Sequence, residues 1–360
     1  SFTGTAGETK SISITVNGDT KVELDETFFV NLSNIVPVSA PAGNISFADS
    51  QGQGTIQNDD NASITINDVT HNEGNSGTTS YTFTVNMTTT SDAEVTVNYT
   101  TTDGTALTTD SDYTPATGTI TFNPGETSKT VTILVTGDTK VEANETFTVD
   151  LSNLQNNGRS VSITDGSGTG TITNDDAAYL SINDVSITEG HAGTQQLVFT
   201  VTHSGSSTDV PFSVDYATSD ITALIGDNDY EAASGTLNFT GTTGETRTIT
   251  ITINGDLDVE LDETFLVTLS NIQASGRNVT LSDATGTGTI ENDDQAEISI
   301  NDLSIEEGDN GTTLFAFTVT MSTTVDANVL LNYTTSDGTA LISDSDRSEE
   351  HTSELQSRQV

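Results

Sequence analysis

Between residues 81 and 151 apolar side chains return at every second position: Tyr81, Phe83, Val85 and Met87, then Val95, Val97 and Tyr99, then Val131, Ile133 and Val135, then Phe147, Val149 and Leu151. A period of two places successive side chains on opposite faces, so each run predicts a half-buried strand. Thr and Ser fill the outward positions, and Gly, Asn, Asp and Pro gather between the runs as turn residues. No convincing helical spacing occurs. With Ile64–Val69, Gly118–Phe122 and Gly170–Ile172 added, the segment predicts about seven short strands in roughly 115 residues, the pattern of an all-β, Ig-like β-sandwich. The Asn-, Ser- and Gly-rich stretches Asn153–Ser167 and Gln273–Thr285 are expected to form a long loop before the last strand.

The pattern repeats. Asn58-Asp59-Asp60 recurs as Asn174-Asp175-Asp176 and as Asn292-Asp293-Asp294, at intervals of 116 and 118 residues. Ile66-Asn67-Asp68-Val69 recurs in the same way as Ile182-Asn183-Asp184-Val185 and Ile300-Asn301-Asp302-Leu303. A period this long carries its own core, unlike solenoid repeats of about 20–50 residues, which fold only by stacking. Cutting after each Asp-Asp gives a partial copy at 1–60, whole copies at 61–176 and 177–294, and a truncated copy at 295–346. Links of two or three residues predict an elongated array of domains.

Composition narrows the function. Among 360 residues, 53 acidic side chains face 9 basic ones, for a formal charge of −44, and there is neither cysteine nor tryptophan. Nine scattered cations build no basic face for phosphates, which excludes nucleic acid as a direct partner. The lack of cysteine removes disulfides, thiolate zinc sites and cysteine nucleophiles. No run of about 18 apolar residues predicts a transmembrane segment. The sequence opens at Ser1 in mid-pattern with no charged and apolar leader, so any targeting segment is expected to lie outside it or not to exist.

The acids recur at loop positions flanking strands. In the second copy they are Glu73, Asp103, Asp138, Glu142, Glu145, Asp175 and Asp176; in the third, Glu189, Asp220, Asp256, Glu260, Glu263, Asp293 and Asp294. The first copy retains Asp19, Glu23, Glu26, Asp59 and Asp60, and the fourth Glu307 and Asp337. Loops at one end of a sandwich are neighbours in space, so the carboxylates are expected to converge. Two carboxylates about 5 Å apart repel by roughly 3 kcal/mol at an effective dielectric near 20, and a crowd of them needs a cation. Calcium suits best, because it accepts 6–8 oxygen ligands in flexible geometry; magnesium wants a strict octahedron, and zinc wants His or Cys. The four histidines, His71, His191, His203 and His351, stand singly in the sequence.

Several ordered elements now combine. Glu-Gly after the first strand, the run from Tyr99 to Ala106 (Tyr-Thr-Thr-Thr-Asp-Gly-Thr-Ala), Asp112-Tyr113, Gly118-Thr119-Ile120-Thr121-Phe122, Pro124-Gly125-Glu126, Gly137-Asp138 through Glu142 and Glu145-Thr146-Phe147, and Gly170-Thr171-Ile172 with Asn174-Asp175-Asp176 together resemble the Calx-β domain. That family is named for the regulatory calcium-binding domains of sodium/calcium exchangers and also occurs in integrin beta-4 and large bacterial surface proteins. The resemblance covers residues 1–346 and makes 1–60 the C-terminal half of one domain and 295–346 the N-terminal half of another. It implies an Ig-like sandwich with calcium held by loops at one end, and carries ligation onto the acids named above. Two departures imply fewer or weaker ions: Asn58, Asn174 and Asn292 stand where the exchanger has the first of three acids, and Asn144 replaces an acid kept as Asp25 and Asp262. No transporter segment accompanies the repeats, so the exchanger role does not transfer.

Catalysis has no candidate. There is no His-Glu-x-x-His and no Gly-x-Ser-x-Gly elbow, and Gly166-Ser167-Gly168-Thr169-Gly170 enters a strand and lacks a phosphate loop's lysine. A glycosidase carboxylate pair would need aromatic platforms, and the 6% of aromatics are mostly inward. From Arg347 the pattern stops, and the run Arg-Ser-Glu-Glu-His-Thr-Ser-Glu-Leu-Gln-Ser resembles the translation of a sequencing adapter, so 347–360 is expected to be artefact. The reading is a non-catalytic, calcium-binding segment of a larger extracellular or cell-surface protein, its partners calcium, the neighbouring domains and the adhesive target. The alternative is a calcium-dependent module recognising a surface glycan or a protein.

Overall fold

The computed structural model describes residues 1–37, 45–346 and the strand at 353–356. The chain forms two units, Ser1–Asp176 and Ala177–Val360.

The first unit opens with an antiparallel pair, β1 (Glu26–Asn31) and β2 (Gln51–Ile56). A complete sandwich follows: β3 (Ala62–Ile66), β4 (Val69–Asn72), β5 (Gly77–Met87), β6 (Val95–Asp103), β7 (Thr117–Phe122), β8 (Ser128–Gly137), β9 (Glu145–Gln155), β10 (Val161–Asp165) and β11 (Ser167–Thr173). One sheet has the order β10-β3-β5-β8 and the other β4-β11-β9-β6-β7. The expected runs are strands, and alternation explains the packing: Tyr81, Phe83, Val85, Val135, Phe147 and Val149 are fully buried between the sheets. Each such side chain contributes about 1.5–3 kcal/mol. Tyr113 stacks on Phe147 at 4.4 Å. Gly170 is required by this core, because a Cβ there would lie 2.4 Å from the Phe147 ring.

Two expectations need correction. Ile64–Val69 is not one strand: the chain crosses between sheets at Asn67-Asp68, where Asn67 Oδ1 accepts the Thr84 N–H and Asp68 Oδ1 the Thr169 N–H at 2.7 Å. The stretch Asn153–Ser167 is not all loop. Its Val-Ser-Ile-Thr-Asp segment is β10, paired in parallel with β3, so both terminal strands of the sandwich are divided between the sheets. Parallel pairing with a strand about a hundred residues away leaves no local turn signal, which is why polar composition misleads here.

The second unit repeats this with β12 (Ala178–Ile182), β13 (Val185–Thr188), β14 (Gly193–Gly205), β15 (Phe212–Asp220), β16 (Ser234–Phe239), β17 (Thr246–Gly255), β18 (Glu263–Gln273), β19 (Val279–Asp283) and β20 (Thr285–Glu291). The sheet orders are β17-β14-β12-β19 and β13-β20-β18-β15-β16. Gln273–Thr285, expected as loop, contains β19, parallel to β12. Core positions exchange one for one. Where Met87 pairs with Ile64, His203 pairs with Leu180, fully buried, with its ring nitrogens at the Thr242 and Ser206 carbonyls.

The partial copies are incomplete sandwiches. In residues 1–60, Ile12, Ile14 and Phe29 are exposed, and in 295–346 Leu314 and Phe317 are, because no complete opposing sheet covers them. The latter copy has β21 (Ile298–Ile300) paired with β22 (Val319–Met321), and β23 (Leu330–Tyr333) paired with β24 (Ser353–Gln356). Of the expected artefact at 347–360, only the β24 backbone falls within the described residues. No helix occurs among the described residues, hence none long and apolar enough to cross a membrane.

Candidate metal-binding pole

Parallel pairing of β4 with β11 sets Thr173 opposite Asn72, so Glu73 and the Asp175-Asp176 pair leave the sheet side by side. The Glu73 N–H donates to the Thr173 carbonyl at 3.2 Å. Gly74 follows at φ +84°, a left-handed turn that glycine adopts without strain. Gly137 ends β8 against this turn, where a Cβ would lie 2.0 Å from the Gly74 carbonyl oxygen; only glycine lets Asp138 come beside Glu73. Carboxylate oxygens of Glu73, Asp175 and Asp176 lie within 4.8 Å of one another. Glu73 is 5% exposed, and its pKa is pushed up to about 8, first by burial and then by Asp138, Glu142, Asp176 and Asp175.

A second group adjoins the first. Asp112, Glu142 and Glu145 also bring carboxylate oxygens within 4.8 Å of one another. Asp112 is not among the acids that the sequence marks as ligands, and the fold brings it to the group. Its signal in the sequence is the Asp-Tyr step, which recurs as Asp229-Tyr230.

The other sandwich builds the same pole. His191, Asp293 and Asp294 form one group and Asp229, Glu260 and Glu263 the other. Glu189 is buried beside them, its pKa raised to about 7 by burial, then Glu260, Asp256, Asp294 and Asp293. Glu260 is raised to about 7 by burial, then Asp229 and Asp326, and Glu263 is raised by burial and by its hydrogen bond with Asp229.

Asp103 and Asp220 lie in neither kind of group. Asp103 Oδ1 accepts the Tyr113 hydroxyl at 2.6 Å and Oδ2 the Thr108 hydroxyl at 3.2 Å, while Asp220 Oδ1 accepts the Tyr230 hydroxyl at 2.5 Å. Their carboxylates hold the loop and the stacked tyrosine. In the first partial copy Asp59, Asp19 and Glu23 lie close enough to Asp60 to raise its pKa, after burial. Glu26 opens β1. In the fourth copy, the Glu307 carbonyl accepts the Thr313 hydroxyl at 2.5 Å and Asp337 Oδ1 accepts the Ile342 N–H at 3.4 Å. Neither Glu26, Glu307 nor Asp337 joins a metal-capable group among the described residues.

The asparagines at the departures from the family pattern have positions of their own. Asn174 Oδ1 accepts the Glu142 N–H at 3.2 Å while its amide nitrogen donates to the Asp176 carbonyl at 2.9 Å, and Asn58 does the same for Glu23 and Asp60 at 3.1 and 2.8 Å. Asn144 Oδ1 accepts the Asn174 N–H at 3.1 Å, as Asp25 and Asp262 accept those of Asn58 and Asn292. Asparagine keeps the acceptor oxygen without the charge, so the contact survives the exchange but loses its charge assistance.

The donor set of the first pole is carboxylate oxygen drawn from four loops, which fits a hard cation of high coordination number. Glu73 Oε1 and Asp294 Oδ2 are buried without a hydrogen-bond partner. A bound cation would satisfy such oxygens, whose burial uncompensated is costly.

The Calx-beta domain family matches residues 4–56, 57–177, 174–304 and 291–355. Among solved structures, the chain is similar to CBD12 from CALX1.2, at 20% identity over 64% of this chain and 100% of that one with a TM-score of 0.31. It is similar to the calcium binding domain CBD12 of CALX1.1 at 18% over 63% and 99%, TM-score 0.31, and to the apo-form Calx CBD1 domain at 24% over 33% and 100%, TM-score 0.29. No curated protein matches the chain.

Proposed function

Because the chain belongs to the Calx-beta domain family, we propose that it is a non-catalytic calcium-binding repeat segment of a larger extracellular or cell-surface protein, in which the ion stiffens successive domains for adhesion or cell communication. The observation that carries this reading is the convergence of Glu73, Asp138, Glu142, Asp175 and Asp176 on one pole, with Glu73 Oε1 buried and unsatisfied. Glu73, Asp175 and Asp176 would hold one ion and Asp112, Glu142 and Glu145 another, with the oxygen ligation calcium prefers. Extracellular calcium modules have dissociation constants of about 10⁻⁴–10⁻³ M, which makes the millimolar calcium outside cells the natural setting.

The joint supports the mechanical part. In the first unit the loop of Asp19, Glu23 and Glu26 also docks on the next sandwich: the Val22 N–H donates to the Thr90 carbonyl at 2.9 Å, and the Asp92 N–H to the Val22 carbonyl at 3.2 Å. The second unit repeats this with Val259, Thr324 and Asp326 at 3.0 and 3.2 Å. Acids and docking strand share one short segment, so ordering the acids orders the joint.

Calorimetric titration of calcium into the chelator-treated chain, with thermal melts alongside, tests the reading. Heat and a raised melting temperature are expected, since free calcium at 100 times the dissociation constant adds about 2.7 kcal/mol per site. No heat and no shift overturn it. Small-angle scattering with and without chelator tests the joint, and an unchanged maximum dimension counts against it.

A further inference from the structure

Among the positions at which the two complete poles differ, one sets a nitrogen donor beside the acids. After Glu-Gly the first sandwich has Asn75, whose amide donates to Asp176 Oδ1 at 3.3 Å, and the second has His191, whose Nδ1 lies 2.7 Å from Asp294 Oδ1 and 3.9 Å from Asp293 Oδ1. An amide nitrogen has no lone pair for a cation, whereas a neutral imidazole nitrogen does. The Asp294 side chain is 3% exposed, and its second oxygen, Oδ2, is buried without a hydrogen-bond partner. One nitrogen and two carboxylates, their ligand atoms within 4.8 Å of one another, therefore meet at the second pole where the first offers oxygen alone.

From this difference we propose that the second pole is a mixed nitrogen and oxygen site that takes a borderline divalent transition metal, zinc being the class representative, with His191, Asp293 and Asp294 as ligands, while the first pole remains a hard-cation site. The proposal rests on the calcium reading above for the existence of a cation pole and departs from it in the ion selected. The chemistry is ligand softness: imidazole suits zinc, copper and nickel, whereas carboxylate, carbonyl and water suit calcium and magnesium. In the sequence the histidines stand singly, and only folding sets His191 against carboxylates a hundred residues away.

The test titrates zinc chloride and, separately, calcium chloride into the full chain and into its His191→Asn and Asn75→His variants, each swap installing the other sandwich's residue. His191→Asn is expected to lower the zinc-over-calcium affinity ratio of the chain by about tenfold or more, the scale on which metal-site substitutions act. Asn75→His is expected to add a second zinc isotherm. Zinc isotherms that coincide for the native chain and His191→Asn, with calcium heats retained, overturn this proposal alone and leave His191 as a hydrogen-bond partner of Asp294. Silence with both metals overturns the calcium reading as well. A shift of the His191 ring proton signals on zinc addition, followed by NMR, is the second supporting readout.

Discussion

Asn174 holds Glu142 across 32 residues of chain, its amide oxygen accepting the Glu142 N–H at 3.2 Å while its amide nitrogen donates to the Asp176 carbonyl at 2.9 Å. One side chain thus fixes the spacing between the loop after β8 and the acids after β11. Asn174→Ala removes both bonds and is expected to lower stability by about 1–3 kcal/mol and to weaken calcium binding. Asn174→Asp can accept but not donate, sets a carboxylate against the Asp176 carbonyl, and is expected to fall at least as far. Denaturant titrations with and without calcium check both.

The carboxylates of the pole give the calcium-free protein an inverted pH response. Glu73 titrates near 8 in the folded chain and Glu189 and Glu260 near 7, against an ordinary 4.5. Between these values the folded state holds protons that the unfolded chain releases, so stability is full below the unfolded pKa and is lost as pH rises through the folded one. Carboxylates lowered by hydrogen bonds, such as Asp92 and Asp215, titrate below that window and do not oppose it. In chelator the melting temperature is expected to be higher near about pH 5 than near about pH 8. Calcium competes with the same protons, so its affinity is expected to rise over that interval; a chelator melting curve that climbs with pH would count against the pole as described.

Asp103 and Glu73 separate structure from binding. Asp103→Ala leaves the hydroxyl of buried Tyr113 without its acceptor and is expected to cost about 1–3 kcal/mol whether or not calcium is present. Above about pH 8, where Glu73 is ionised, Glu73→Gln removes a buried charge from among four others, so it is expected to raise the melting temperature in chelator at that pH while weakening calcium binding. Melts of both variants in chelator and in calcium distinguish the two; equal shifts for both would refute the distinction.

Val22 is fully buried where the first partial copy meets the next sandwich. Val22→Asp places a charge in that contact, and a buried unpaired charge costs several kcal/mol. Proteolysis in the link around residues 57–61 is expected to accelerate, and calcium protection of that link to disappear. An unchanged cleavage rate with and without calcium would remove the coupling of acids and joint.

Much of the fold is legible in the residues, because alternation is a local property. The run Tyr81 to Met87 predicts a strand with one buried face, and β5 has it. The recurrence of Asn-Asp-Asp, and of Asp138, Glu142 and Glu145 as Asp256, Glu260 and Glu263, likewise points to gathered acids. Val161-Ser-Ile-Thr-Asp165 carries the same alternation over too few residues to outweigh its polar flanks, so β10 has no clear signal of its own.

The order of residues therefore sets which positions face inward, where the copies repeat and that the loops carry carboxylate oxygen. The tertiary structure alone decided the neighbours: that Asp112 joins Glu142 and Glu145 while Asp103 turns to Tyr113, that Asn174 clips two loops, and that His191 meets Asp294. The reason is physical. Periodicity depends on side chains one or two residues apart, whereas these meetings depend on parallel pairing of strands about a hundred residues apart, β4 with β11 and β13 with β20, whose register no local pattern encodes.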